Sequence, residues 1–489
     1  MKARHGAMLV TGVLLGLIAV WQIGTAARGL EIITIRSTTP PLSLVAPKGD
    51  LGSRPLVLIG HGFAGSMVIM RGFAFTLAHA GYAVVLWDFD GHGTNPQPVP
   101  TGMGGDALLT SAESALAEAM ARGWGDPRRT AILGHSMGSG VALSFGQKHP
   151  ETAATIAVSP VGTQVTPALP HNLLLMAGSR ESRFVQSAEQ RLAEAGGAGG
   201  DPVAGTARKL VVVPGVEHMS ILFSPVAHAT ARQWLDATFG PQPGARTYTD
   251  RRVGWYGLGL LGTLLVAMVF VAAVSARAAH QEPIRALGWR LSTIAGGALG
   301  ATILLWLAGK AGLGLRTLLG LSVGGYLLIW FGVAGLLSLL ILWRRPTWPS
   351  RRDLSTGLLA FAALWAGVGL LGQFVWLPWL LIPRRLALWP LGVLLTLPWF
   401  LAAGEVVQGA GVVGRVGWWL ADCVAVTGCA LLALYLSPDL GFLVLILPLF
   451  PVVLGLHALV AASTRGRWAF ALSGAMFTGW LLLAVFPLQ

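Results

Sequence analysis

The sequence predicts an α/β domain held between two membrane parts, an N-terminal transmembrane anchor and an all-α bundle that fills the C-terminal half. Three observations carry this reading. Of 489 residues, 54% are hydrophobic and only 11% charged, where ordinary soluble domains carry roughly a quarter charged residues. The mean hydropathy of +0.65 is too high for one anchor on a soluble domain, so several spans are required. Charge is also unevenly placed: Arg28 to Arg252 holds 18 Lys/Arg and 16 Asp/Glu, the rest of the chain 16 and 5, giving an excess of +2 in that segment and +11 elsewhere.

The basic surplus lies in short loops between apolar runs. The pI near 10.8 therefore reflects membrane orientation, and no basic stripe with interleaved aromatics points to nucleic acid. Cys423 and Cys429 share one late apolar run, so the charged segment needs no disulfide and suits either redox compartment.

Lys2, Arg4 and His5 precede an apolar stretch from Gly6 to Ala27 that is long enough to cross a bilayer. Residues 1–27 are read as an uncleaved signal anchor, although Thr25, Ala26 and Ala27 could form a cleavage site. Residues 28–240 make the exported α/β domain. Short β-rich runs alternate there with Ala-rich amphipathic stretches, the pattern of strands joined by helical crossovers. Strands are expected at Glu31 to Arg36, Leu42 to Ala46, Pro55 to Gly60, Ala83 to Asp88, Thr130 to Gly134, Thr155 to Ser159, Asn172 to Ala177 and Lys209 to Pro214. Gly196 to Gly200, with Asp201 and Pro202, reads as a flexible loop. Residues 241–252, with Pro243 and Gly244 among polar neighbours, read as a linker.

Residues 253–489 hold eight apolar runs: Val253 to Ala276, Leu291 to Ala308, Thr317 to Trp343, Leu354 to Ile382, Leu386 to Ala403, Val416 to Leu436, Leu440 to Ala462 and Trp468 to Phe486. With the anchor they make nine spans. Leu354 to Ile382 is long, and Pro378 and Pro383 break its end, which suits a span followed by an interfacial or re-entrant piece. With the N-terminus in the cytoplasm, the inside ends and loops carry Lys2, Arg4, Arg277, Arg285, Arg290, Arg344, Arg345, Arg351, Arg352, Arg415, Arg465 and Arg467. The opposite short loops carry only Lys310, Arg316, Arg384 and Arg385, and the last two fit the positive-inside rule least well. The expected setting is a bacterial inner (cytoplasmic) membrane, with residues 28–240 on the extracytoplasmic side.

The chemistry lies in the middle segment. Thr130 to Val141 reads TAILGHSMGSGV, a strand running through Gly134-His135-Ser136-Met137-Gly138 into a helix. A serine on so tight a turn needs glycines two residues to either side, because a Cβ there would meet the neighbouring strand and helix. Upstream, Leu56 to Gly60 runs into His61-Gly62-Phe63-Ala64-Gly65, a glycine-rich turn whose backbone N–H groups can face an oxyanion. The N–H groups of Phe63 and Met137 are the two candidate donors. Downstream, Leu173 to Ala177 ends in Gly178-Ser179-Arg180-Glu181, and a later strand ends in Gly215-Val216-Glu217-His218. An acid and a histidine thus follow the serine, at the ends of successive strands, in the order such a triad requires.

Residues 30–240 resemble the α/β-hydrolase fold family, and Gly81 to Gly93, GYAVVLWDFDGHG, is similar to its fourth strand and following loop. The resemblance implies an α/β-hydrolase sheet with flanking helices, with Ser136 as nucleophile, His218 as general base and Glu181 as orienting acid. Glu181 departs from the more usual Asp, and Asp88, Asp90 and Glu217 are its rivals. Asp88 and Asp90 end an earlier strand and suit loop structuring, while Glu217 adjoins the histidine and is expected to point away from it. The stretch between Ser159 and Asn172 is too short for the lid many members insert there, so no large cap fits. His61, His92 and His135 match no zinc spacing and are read as turn packing; no metal and no cofactor is expected. His149, before Pro150, reads as a helix end.

The expected function is a membrane-tethered serine hydrolase that cleaves carboxylic esters through an acyl-enzyme. Its expected partners are a small-molecule or lipid ester and the bilayer, with no nucleic acid and nothing said of oligomeric state. Phe63, Met67, Val68, Ile69, Met70, Met219, Ile221, Leu222 and Phe223 form either an apolar gate or ordinary core. Two alternatives stand beside this reading: a transporter or channel with an exported processing domain, and an inactive hydrolase fold used for binding. Glu405, Asp422 and His457 are the ionisable residues within spans, and a structural or interfacial role is expected for them.

Overall fold

A computed structural model describes residues 2–100, 105–274, 287–343, 348–408, 410–464 and 466–489. It opens with α1 (Lys2–Thr25) and then builds one mixed eight-stranded sheet. The strands are β1 (Leu30–Ile35), β2 (Leu42–Pro47), β3 (Pro55–Gly60), β4 (Ala83–Trp87), β5 (Asp126–His135), β6 (Ala154–Val158), β7 (Leu173–Gly178) and β8 (Arg208–Val213), in the order β1-β2-β4-β3-β5-β6-β7-β8. Pairing is antiparallel for β1 with β2 and β2 with β4, and parallel across the rest. All eight expected strands are present.

The burial of each strand follows its place in the sheet. β3, β4, β6 and β7 are buried along their whole length, as inner strands covered on both faces must be. β1, at one edge, alternates half-buried and exposed positions after Leu30. The flanking helices are α2 (Arg71–His79), α3 (Gly105–Ala121), α4 (Met137–Lys148), α5 (Ser182–Glu194) and α6 (Pro225–Phe239). Val57, Ile59, Leu133 and Met176 pack with Phe73 of α2 and Leu235 of α6. Leu56, Leu58 and Ile132 face the other way, against Ala112 and Ala115 of α3 and Phe145 of α4. The period-2 alternation of the strands thus sorts the two halves of the core.

The segment expected to act as a linker is docked. The Arg246 N–H donates to the His79 carbonyl at 2.7 Å, the Tyr248 ring stacks on His79, and its hydroxyl donates to Asp250 at 3.1 Å. Asp250 forms an ion pair with Arg252, which also donates to the Phe374 carbonyl in the membrane part. Polar composition alone made this stretch look mobile; its aromatic and charged side chains have specific partners.

The C-terminal bundle, termed the membrane part for its apolar helices, holds α7 (Arg252–Val274), α8 (Leu287–Lys310), α9 (Gly324–Leu342), α10 (Arg351–Leu364), α11 (Pro383–Val407), α12 (Val412–Leu436), α13 (Leu449–Ser463) and α14 (Arg467–Val485). Eight helices of the described residues are long and apolar enough to cross a membrane. A ninth span arises if the short helix Pro438–Val444 and α13, bent by 59°, count as one. The expected long run divides as its prolines suggested: α10 passes through a π-helical turn, Trp365–Leu370, into irregular chain before Pro383 opens α11. α1 packs on α7 through facing glycines; a Cβ on Gly12 would lie 2.7 Å from the Gly262 carbonyl oxygen. Glu405 pairs with Arg467, and the His457 Nε2 lies 3.1 Å from the Thr478 hydroxyl. Asp422 is fully buried in α12. Of the expected inside charges, Arg277, Arg285, Arg344, Arg345 and Arg465 lie outside the described residues.

Candidate active site

β5 ends one residue before Ser136, and α4 begins one residue after it, so the serine stands alone on the turn at φ 53° and ψ −118°. A non-glycine residue reaches that region only under constraint. The neighbours supply the constraint. A Cβ on Gly134 would lie 1.8 Å from the Gly138 carbonyl oxygen, and one on Gly138 would lie 2.6 Å from that of Gly60 on β3. The Ser136 N–H donates to the Val158 carbonyl at 2.9 Å, tying the turn to β6. Glycine at 134 and 138 is therefore a requirement of close backbone approach.

Ser136, His218 and Glu181, three loops apart in sequence, form one hydrogen-bonded chain. His218 Nδ1 lies 2.8 Å from Glu181 Oε2, and His218 Nε2 lies 3.1 Å from Ser136 Oγ. With Nδ1–H donating to the carboxylate, Nε2 is left bare to accept the serine proton. Glu181 Oε1 accepts from the Ser159 hydroxyl at 2.7 Å and from the Gly178 N–H at 2.5 Å. The carboxylate is thus oriented by β6 and β7 together.

The rival acids are otherwise engaged. Asp88, fully buried, accepts from the Met67 N–H and from the Thr94 N–H and hydroxyl, each at 2.7 Å. Asp90 accepts from Asn95 at 3.0 Å. Glu217 turns back to cap the N–H groups of Met219 and Ser220.

The buried histidines hold the turns around the serine. His61 Nδ1–H donates to the Gly62 carbonyl at 2.8 Å and Nε2 accepts from the Phe89 N–H at 3.2 Å, joining the turn after β3 to the end of β4. His135 Nε2 donates to the His218 carbonyl at 3.0 Å, which ties down the loop carrying His218. Burial holds the His61, His92 and His135 imidazoles below their ordinary pKa, so they stay neutral donors and acceptors. Among the described residues, no three His, Cys, Asp or Glu side chains converge as a metal-binding group. His149 caps α4 and reaches Glu113 at 2.9 Å.

Phe63 and Met137 sit on the two turns that face Ser136, and their N–H groups take no acceptor among the described residues. Donors left open beside a nucleophile can receive a developing negative charge. The apolar residues near the site divide into two groups. Met67, Val68, Ile69, Met70, Ile221 and Leu222 are buried, Met67, Ile69, Met70, Ile221 and Leu222 within the core beneath α2, so ordinary packing accounts for them. Phe63 instead stacks on Phe442 of the membrane part, with ring centroids 3.7 Å apart.

That contact belongs to a feature absent from the sequence-level picture. The chain between Ser159 and Asn172 carries no cap, yet the cleft is not open to one side. A hollow of about 570 Å³ runs from Ser136 and His218 past Arg183 and Phe184 to Arg316, Asp439 and Phe442. Phe184 stacks on the His218 ring at 4.3 Å. Ser159, Phe184, Arg316 and Phe442 were not among the expected site residues. Ser159 ended a predicted strand, which was a usable signal; the other three had none.

The family profile described as serine aminopeptidase, S33, matches residues 52–197. Two uncharacterized proteins from strains of Mycobacterium tuberculosis are each 29% identical over 193 residues, covering 35% of this chain and 66% of their own length. The chain thus spans a little under two thirds of those relatives. Among solved structures, a protein described as a dienelactone hydrolase of Klebsiella pneumoniae aligns over 44% of this chain and 98% of its own, at 19% identity and a TM-score of 0.34. A bacterial membrane phospholipase A aligns over 47% and 92%, at 17% identity and a TM-score of 0.35. The middle segment is an α/β-hydrolase domain, and the chain around it has helices able to span a membrane.

Proposed function

We propose that residues 28–240 are the catalytic domain of a membrane-tethered serine hydrolase that cleaves carboxylic esters, lipid or acyl esters among them. The observation that carries this reading is the Ser136-His218-Glu181 hydrogen-bonded chain, with the N–H groups of Phe63 and Met137 left without an acceptor among the described residues. A binding module has no need of all these parts together.

The reaction follows from the geometry. Ser136 Oγ attacks the ester carbonyl while its proton passes to His218 Nε2, and the carbonyl electrons collect on an oxyanion facing the N–H groups of Phe63 and Met137. Collapse breaks the bond to the leaving alkoxide, which takes the proton from Nε2 as it departs. Water then gives a proton to His218 and attacks the acyl-serine, releasing the acid and restoring the hydroxyl. Glu181 keeps the imidazole in the tautomer with Nε2 free and stabilises it when charged.

Labelling by a fluorophosphonate probe in detergent tests this reading. The native chain is expected to label; Ser136→Ala and His218→Ala are not, and each should lower ester turnover by about 10⁴-fold or more. Folded native protein that fails to label would remove the hydrolase reading. The matched family's description names an aminopeptidase, so an amino-acid anilide belongs beside the ester substrates.

A further inference from the structure

The catalytic hollow does not end at Phe442. Arg316, Pro438 and Asp439 also line a second hollow, of about 510 Å³, which extends to Trp306, Lys310, Leu313 and Leu436 at the adjoining ends of α8 and α12. The two adjoin at Arg316, Pro438 and Asp439, one reaching Ser136 and the other the ends of α8 and α12. Helix alternation puts the ends of α8 and α12, the Pro438–Ile446 turn, the start of α11 and the C-terminus at one end of the bundle. Contacts to the hydrolase domain come from that end: Phe442 to Phe63, Arg384 to the Pro96 carbonyl, Arg385 to the Gly91 carbonyl and Leu488 to Val99. The route therefore opens where bilayer headgroups would lie.

Its charge is distinctive. The short loops on this side carry four basic residues against the positive-inside tendency. Arg384 and Arg385 are accounted for by their bonds to the hydrolase domain. Lys310 and Arg316 remain, and both line the route. With Arg183 they make three cations against the single carboxylate of Asp439, and none of the four forms an ion pair among the described residues. Arg316 rests over the Phe442 ring, 5.9 Å from its centroid. Cations without an ion pair beside the apolar side chains of Leu313, Leu436 and Phe442 suit a ligand with one anionic end and one greasy one.

Resting on the hydrolase reading, we propose that the membrane domain supplies the second half of the substrate site, and that Lys310 and Arg316 receive the charged group of an anionic membrane lipid whose ester reaches Ser136. The chemistry is the hydrolysis already written, with the lipid's glycerol oxygen as leaving group.

The test uses full-length protein in vesicles containing equal phosphatidylglycerol and phosphatidylcholine with identical acyl chains, following loss of each lipid by mass spectrometry. Native protein should consume phosphatidylglycerol at least about tenfold faster, the worth of one charge-assisted contact. The Lys310→Gln/Arg316→Gln double variant should bring the ratio towards one, and Arg316→Lys should keep most of it. Reading a ratio within one vesicle separates recognition from folding, because misfolded protein lowers both rates alike. Equal consumption by the native chain, or a ratio untouched in the double variant, overturns the proposal and leaves the hydrolase reading standing. The same preference confined to monomeric dibutyryl lipids, with vesicles untouched, overturns the membrane source. No fluorophosphonate labelling and no lipid loss in folded protein would end both readings together.

Discussion

The two walls of the catalytic cleft are held by different forces. On the hydrolase wall, Ser136, His218 and Glu181 are joined to one another and to Ser159, Gly178 and Val158 by hydrogen bonds of 2.5 to 3.1 Å. Glycines at 134 and 138 leave that wall no room to move. The membrane wall meets it through the Phe63–Phe442 stack, and no hydrogen bond crosses from residues 437–447 to the hydrolase domain among the described residues. Its rim is different again. Arg385, 1% exposed, donates to the carbonyls of Gly91, Phe486 and Leu483. Pro487 has no N–H to offer the Leu483 carbonyl, so Arg385 closes the C-terminal turn of α14 while it docks the loop after β4. Directional bonds fix Ser136, His218 and Glu181, while the facing wall meets the hydrolase domain through an aromatic stack beside Arg316 and Asp439.

Four outcomes would break or sharpen this contrast. The largest is expected at the hydrolase wall: Glu181→Gln removes the charge that selects the His218 tautomer and should lower ester turnover by about 10⁴-fold, measured as kcat in detergent. A loss under tenfold would point to another acid. Next is Gly134→Ala, whose Cβ would lie 1.8 Å from the Gly138 carbonyl oxygen; a loss of about 3 kcal/mol or more is expected. Thermal inactivation of probe labelling reads it, and Gly417→Ala, in open space on α12, should shift the same midpoint by less than about 0.5 kcal/mol.

At the rim, Arg385→Met leaves the buried carbonyls of Leu483 and Phe486 without donors, while that of Gly91 keeps the Leu488 N–H; it should cost about 2 to 3 kcal/mol, seen as faster proteolysis of the loop after β4. Unchanged proteolysis would mean that the backbone bonds joining Leu488 to Gly91 and Val99 hold the docking without Arg385. Smallest per group is a pH slope. Burial holds His61, His92, His135 and His228 below 6.5 in the folded domain. Above that value both states are neutral. As pH falls below 6.5 the unfolded chain takes up protons first, so stability declines by up to about 1.4 kcal/mol per pH unit for each imidazole. Inactivation midpoints between pH 7.5 and 5.5 measure it, and a flat profile would mean these rings already bind protons when folded.

The sequence by itself determined the elements and which residues stand at the strand ends. Strand periodicity, the glycines around Ser136 and the strand-end positions of Glu181 and His218 are local properties, governed by backbone sterics and by which faces must be buried. The span pattern was legible for the same reason, since crossing a bilayer requires a continuous apolar run. Tertiary structure alone decided what closes the site. Nothing near Phe442, Arg316 or Arg385 in the chain refers to Phe63, Ser136 or Gly91, and the polar stretch at 241–252 read as linker because its partners, His79 and Phe374, lie far away in sequence. Contacts between the hydrolase domain and the helical bundle depend on shape and on where donors and rings meet, and no local period encodes that.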